Sequence, residues 1–539
     1  MKSIYLPIIF IIVSFLFSCD LDKTPSYEII IKGGMVNTGE GSPSIVADIG
    51  INADTIAYIG MIGTRASKQH IDAEGLVVAP GFIDMHVHLE SIFKYPDAKN
   101  IVTQGVTLAL GGPDGWGFWP FKPYLDSLSE KQLGINVAYL IGHNKIREHV
   151  MQMDNRDPTE DELNKMKQMI RQAMEEGAYG MSTGLKYLPG AFSKVDELIQ
   201  LSKEVASHGG IYTSHLREEG LGLIPGVEEA IKIGHEARIP VVLTHHKVIG
   251  QPMWGASART LAMVDSARAL GIDVMMDQYP YDASFTNISI LIPAWCMAGG
   301  QEAFVERTKN IALRDSILNG IEFNLLNDRG GGDLDRVQLA STPWDTTLSG
   351  KTLKFWAERE GMEPNAENGP KLVLKAQLEG GGKGIYHAMD EKDIERIMKH
   401  PQTMIGSDGS LTAPGDGWPH PRCYGTYPRV LGRYVRELQV VDLPVAIKKM
   451  TSLPADRLGL KRRGRLQVGN FADITIFDPG IIIDEATYLK PHQYSRGIEY
   501  VLVNGVLTID KGEFNGNRGG KILKSGELRI KTNIINPIH

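Results

Sequence analysis

The stretch GFIDMHVHLE, residues 81–90, ends an apolar run with two histidines one residue apart. Alternate side chains of a β-strand share a face. His86 and His88 on a strand therefore present two imidazoles to one object, and a metal ion is the leading candidate. The alternative is one surface histidine and one core histidine. The rest of the chain decides between them.

Seven further strand-like segments lie downstream: VTLAL at 106, INVAYLI at 135, AYGMST at 178, GIYTS at 210, PVVLT at 240, IDVMMD at 272 and TMIGS at 403. Helical patterns fill the gaps. TEDELNKMKQMIRQAMEEG opens with a capping box, Thr159 to Glu162, and repeats Leu163, Met166, Ile170 and Met174 at helical spacing. These methionines read as core. VDELIQLSKEVASHGG and SARTLAMVDSARALGI are amphipathic in the same way. Strands alternating with helices in this number predict an α/β chain folded as a (β/α)8 TIM barrel. Residues 283–402 are too many for one connection, which predicts an inserted helical subdomain over the barrel mouth.

The two ends have another texture. Short strands punctuated by turn formers run over 27–80, as in YEIIIKGGMV and GLVVAPG, and return in ADITIFDP and IEYVLVNGVLTIDKGEF, where Asn504-Gly505 signals a hairpin. The expectation is one small β-sandwich domain from both ends, 27–80 and 465–525, flanking a barrel over 81–464.

Composition bounds the rest. The 539 residues are 42% hydrophobic, enough for a large core and more than one domain, with a net charge of -7 and no long basic run, so nucleic acid is not an expected partner. Three cysteines, Cys19, Cys296 and Cys423, with no CxxC pair, exclude a disulfide scaffold and a cysteine zinc knuckle. MKSIYLPIIFIIVSFLFSC has one early lysine, a short apolar run and a small residue before Cys19. Leu16-Phe17-Ser18-Cys19 resembles a bacterial lipoprotein box, with Phe17 bulkier than usual. It implies a signal peptide over 1–19, a tether over 20–26, a lipid anchor at Cys19, and an extracytoplasmic body, periplasmic or outer-membrane associated. A secretory signal with an incidental cysteine, or an uncleaved anchor, are the alternatives.

The chemistry lies in the residues at the strand ends. His86 and His88 come after the first strand, Asp114 after the second, His215 after the fifth, His245 after the sixth and Asp408 after the eighth. All are metal-ligand types at the C-terminal ends of barrel strands, where this fold builds its sites. Five strands ending so by chance is improbable, which decides the opening question for metal.

The segments PGFIDMHVH, GVTLALGGPDG, STGLKYLPGAF, TSHLREEG, LTHHK, DQYPYDAS, MIGSDG and PHPRCYGTYPRVLGRYVRE together resemble the amidohydrolase superfamily and, within it, the D-aminoacylases (N-acyl-D-amino-acid deacylases). The resemblance covers nearly the whole mature chain. It implies zinc, with His215, His245 and a residue from the second strand at a tighter site and His86 and His88 at a more exposed one. The best-known members carry a cysteine where this chain has Asp114. A carboxylate binds or bridges metals but is harder than a thiolate, which shifts preference toward manganese or cobalt. The alternative for Asp114 is a turn residue in Pro-Asp-Gly.

The resemblance further implies that Asp408 moves the proton. A divalent metal lowers the pKa of water toward about 7, and a carboxylate beside it can take the proton and pass it to the leaving amine. A small-molecule substrate bearing a carboxylate needs an anchor. Arg422 is the candidate, helped by Lys247, Tyr279 and Tyr281, with His143 lining the site. A structural ion pair is the alternative for Arg422. Competing readings at the level of function are a dipeptidase for a C-terminal D-residue, a cyclic amide hydrolase, and a non-catalytic binding lipoprotein.

Overall fold

The computed structural model describes residues 26–526. The signal-peptide segment 1–19 with Cys19, and the tether as far as residue 25, lie outside the described residues. Among the described residues no helix is long and apolar enough to cross a membrane.

Eight parallel strands run in chain order around a barrel: β1 (Phe82–Asp84), β2 (Val106–Gly111), β3 (Asn136–Tyr139, continued by Ile141–Gly142), β4 (Gly180–Gly184), β5 (Ile211–His215), β6 (Val241–Leu243), β7 (Val274–Gln278) and β8 (Thr403–Ile405). Each pairs with the next, from Phe82↔Val106 through Leu108↔Asn136, Ile141↔Met181, Gly180↔Ile211, Tyr212↔Val241 and Val241↔Val274 to Met276↔Thr403. Closure falls at the GFIDMHVH segment. Asp408 N–H donates to His86 O at 2.8 Å, and Gly409-Ser410 pair in parallel with Val87-His88. Tyr427 Oη caps the seam, donating to Ile83 O and Ile405 O at 3.3 Å each.

Alternation along the strands divides the core in two. Phe82, Val106, Val137 and Met276 face the helices in the large outer core. Ile83, Leu108, Ala138, Val242, Met275 and Met404 form a separate cluster with Ala455 and Leu458 of the last helical turn, which fills the barrel's lower end. The helix Glu160–Glu175 carries both halves of the Thr159–Glu162 capping box.

The two chain ends build one nine-stranded sheet. Its first strand, Tyr27–Val36, pairs on one side early with Ser67–Asp72 and late with Val77–Pro80, and on the other with Ile45–Asn52, where the register shifts between Ile31 and Gly34. Gly33 has φ +67°, and a Cβ on Gly34 would come 2.4 Å from Val78 Cγ2, so the bend needs Gly-Gly. Asn504 (φ 49°) and Gly505 (φ 77°) turn the hairpin between Ile498–Val503 and Val506–Asp510. Beyond it the chain leaves the sheet and bridges Leu133 and Val137 of the barrel through Gly520 and Ile522. The stretch 520–523 is thus tied to β3.

The insertion departs from expectation in two ways. Its own core, from Ile288 to Tyr386, surrounds a three-stranded antiparallel sheet of Ser284–Asn287, Lys383–Tyr386 and Val337–Ser341 as well as helices. It also ends earlier than residue 402. The helix Glu391–Lys399 sends Ile394, Ile397 and Met398 into the outer core of the barrel.

Candidate metal centre

The upper mouth of the barrel gathers the five predicted ligands together with Asp408, the predicted proton carrier. His86, His88, Asp114 and Asp408 form one cluster, and Asp114, His215 and His245 another, each with donor atoms within 4.8 Å of one another. Asp114 belongs to both. Its Oδ1 lies 3.4 Å from His86 Nε2, 3.3 Å from His245 Nε2 and 3.8 Å from His215 Nδ1, and its Oδ2 3.6 Å from His88 Nε2. Asp408 Oδ1 lies 3.5 Å from His86 Nε2 and 3.3 Å from His88 Nε2. The first cluster is the more open one: the His88 side chain is 22% exposed, against 4% for His215 and 1% for His245.

The backbone is bent to bring these groups together. Asp114, His245 and Asp408 all have positive φ, at 54°, 37° and 50°. Such conformations are uncommon outside glycine and persist where surroundings enforce them. Buried carboxylates hold the backbone at His245 and just before Asp408. Asp277 Oδ1 accepts from His245 N at 2.7 Å. Asp84 Oδ1 accepts from Ser407 N at 2.9 Å and His86 N at 3.1 Å.

The site's charges call for a cation. Burial pushes the His215 imidazole down to about 3. In His245 burial and Lys247 act the same way, but Asp114 and Glu219 outweigh them and lift it to about 9. Burial opposes ionisation of Asp114 too, yet His86 and His245 hold its carboxyl well below the usual range. Asp114 Oδ1, both ring nitrogens of His86 and His215 Nε2 are buried without hydrogen-bond partners. Two carboxylates and four imidazoles aimed at one space, with orphaned lone pairs among them, fit a divalent ion of the zinc, manganese or cobalt class.

The clusters open into a cavity of about 790 Å³ bounded by Trp116, Tyr187, Phe285, Lys383, Trp418 and Arg422. A second chamber of about 650 Å³ shares Trp116, Tyr187, Thr286 and Asn287 with it. Arg422 Nη1 sits 2.8 Å from Asp408 Oδ2, and its guanidinium lies over Tyr279 at 4.7 Å and Phe285 at 5.8 Å.

Four predicted substrate residues lie elsewhere than expected. His143 is fully buried, with Nε2 on Glu197 at 2.8 Å, because the ring turns toward the neighbouring barrel helix. Lys247 stays behind the ligands, 2.6 Å from Glu219. Tyr281 donates to Asp484 at 3.2 Å. Tyr279 supports Arg422 from below rather than lining the main cavity. His246 points outward to Thr260 at 2.9 Å. Reading the sequence missed Glu90, 3.3 Å from His88 Nδ1, and Glu219, 3.2 Å from His245 Nδ1. Their signal was spacing: Glu90 is two residues beyond His88, and Glu219 four beyond His215.

A family model described as the amidohydrolase family matches residues 69–219 and 356–509. D-aminoacylase of Alcaligenes xylosoxydans xylosoxydans is 35% identical over 534 residues, covering 93% of this chain and 98% of that protein. Among solved structures, N-acyl-D-glutamate deacylase of Bordetella bronchiseptica, complexed with zinc and a phosphonate mimic of the tetrahedral intermediate, matches with TM-score 0.79 and 33% identity, covering 93% of this chain and 100% of that one. A D-aminoacylase with a binuclear metal centre matches with TM-score 0.79 and 33% identity over 92% of this chain and 100% of that one.

Proposed function

The chain belongs to the amidohydrolase family, and from that premise we propose that it hydrolyses the amide bond of N-acyl-D-amino acids to a carboxylate and a free D-amino acid. The observation that carries the reading is the meeting of two donor clusters at Asp114 on the floor of a cavity. Zinc is the ion this reading assigns to those donors, and when bound it polarises the amide carbonyl and lowers the pKa of water toward about 7.

The chain's own residues do the rest. Asp408 is the proton carrier. Burial disfavours its ionised form, but Arg422, His86 and His88 outweigh burial and hold the carboxyl below the ordinary range. It is therefore ionised at neutral pH and ready to accept. Oδ1 faces the histidines while Arg422 holds Oδ2, so one oxygen works and the other orients. Asp408 takes a proton from the attacking water. As the carbon–nitrogen bond breaks, it delivers that proton to the amine nitrogen, which leaves as the neutral amine. Arg422 lines the same cavity and is the cation this reading assigns to the product's carboxylate.

The test is hydrolysis of paired N-acetyl-D- and N-acetyl-L-amino acids, with and without a chelator. The expected result is metal-dependent release from the D series. Equal rates on both series, or release that survives full chelation, would reject the reading.

A further inference from the structure

Glu219 takes no part in proton transfer or substrate anchoring, yet it is buried against both histidines of the inner cluster. Its Oε1 lies 3.2 Å from His245 Nδ1, and its Oε2 3.8 Å from His215 Nε2. The opposite nitrogens, His245 Nε2 and His215 Nδ1, face Asp114 and lie 2.7 Å from each other. Each ring thus turns one nitrogen to the ligand space and the other to the same carboxylate. An imidazole that offers a lone pair to a metal carries its proton on the other nitrogen, and that proton needs an acceptor. Glu219 Oε2 and His215 Nε2 are both buried without a hydrogen-bond partner, and at 3.8 Å a small shift of either side chain would join them.

Glu219 is itself held from two sides. Lys247 Nζ donates to Oε1 at 2.6 Å. Lys247 Nζ also lies 2.7 Å from His245 Nδ1, where a charged ammonium can only donate, so the ligating tautomer requires Glu219 to draw the Lys247 protons to itself and take the Nδ1 proton at Oε1. From the insertion, Arg329 Nη2 approaches Oε2 at 3.6 Å. Arg329 is fixed by donation to Ser284 Oγ at 2.6 Å and by the Tyr386 ring at 5.5 Å.

We propose that Glu219 is a positioning residue which fixes the ligating tautomer of both His215 and His245, and that Arg329 couples the insertion to the inner metal site through it. The inference rests on reading the two clusters as a metal centre. Outer-shell partners of this kind change metal affinity by about 10–100-fold when removed.

The experiment is zinc affinity of the full chain by chelator competition, for wild type, Glu219→Gln and Arg329→Met, with thermal melting of each metal-free protein alongside. Glu219→Gln keeps one acceptor and places an amide N–H₂ against the other ring. The expected result is inner-site affinity down about 10–100-fold in Glu219→Gln and less in Arg329→Met, with the His86–His88–Asp408 site unchanged. Should Glu219→Gln fail to fold, Arg329→Met carries the test. Unchanged zinc affinity in the folded variants, or equal loss at both sites, overturns the inference. So does a lowered melting temperature without any change in affinity. A wild-type chain that binds no zinc overturns the metal-centre reading itself, a separate result.

Discussion

Asp114 stands at the junction of both donor clusters, with nitrogens of four histidines 3.3–3.8 Å from its carboxylate. Its positive φ suits Asp, which visits the left-handed region more readily than most residues. Asp114→Ala is expected to strip the inner site of metal, read as zinc per chain by mass spectrometry. Asp114→Cys is expected to keep zinc but lose affinity for manganese, since a thiolate is the softer ligand. Manganese bound as tightly as in wild type would contradict this. Asp408→Asn keeps the shape and removes the proton acceptor. Turnover should fall about 10²–10⁴-fold with zinc content preserved. A near-normal rate would remove Asp408 from the chemistry. His86, His88, Asp114, His215, His245 and Asp408 were legible because each ends a strand whose apolar run is plain. The groups that orient them were not. Glu219 sits in a charged run, LREEG, and only its place four residues beyond His215 distinguishes it from the half-buried Glu218 beside it. His143 misled for the opposite reason: position after a strand says nothing about which way a ring in a helix's first turn points.

At the scale of elements, the helix His143–Met151 is pinned to Val195–Ser207 by one buried carboxylate. Glu197 meets His143 at 2.8 Å and Arg147 at 2.5 Å. Burial raises the Glu197 pKa, but His143 and Arg147 outweigh it and leave it lowered. Glu197→Ala removes the one carboxylate that His143 and Arg147 share and leaves Arg147 only backbone carbonyls as acceptors, which should cost about 3–5 kcal/mol of unfolding free energy, read in urea. A depressed pKa makes this stability present above the unfolded value, about pH 4.3, and lost as pH falls through the folded one. Wild type should therefore lose stability toward acid faster than Glu197→Ala; parallel curves would contradict the pairing. The barrel strands, the Thr159 cap and the Asn504-Gly505 hairpin were readable because period and turn chemistry are local. The three short strands of the insertion were not. They pair across 284–386, and a four-residue segment such as KGIY carries no period of its own.

For the whole molecule, the ligands come from five strands spread over residues 86–408, so a bound ion ties distant parts of the chain together. Binding to the folded state alone stabilises it by about 4 kcal/mol at a thousandfold excess over Kd. Chelation should lower the melting temperature by several degrees and zinc should restore it; an unchanged melt would show that the donors hold nothing. The barrel, the sheet from both ends and the presence of an insertion were all legible from element order. The insertion's end at residue 390 was not, since the helix after it reads like any other amphipathic helix and only its packing assigns it to the barrel. The most direct measurement is zinc titrated into chelator-stripped protein while hydrolysis of an N-acetyl-D-amino acid and its L-isomer is monitored. The expected result is a rate that appears with bound zinc and on the D-isomer alone. A rate independent of zinc, or one shared by both isomers, would contradict it.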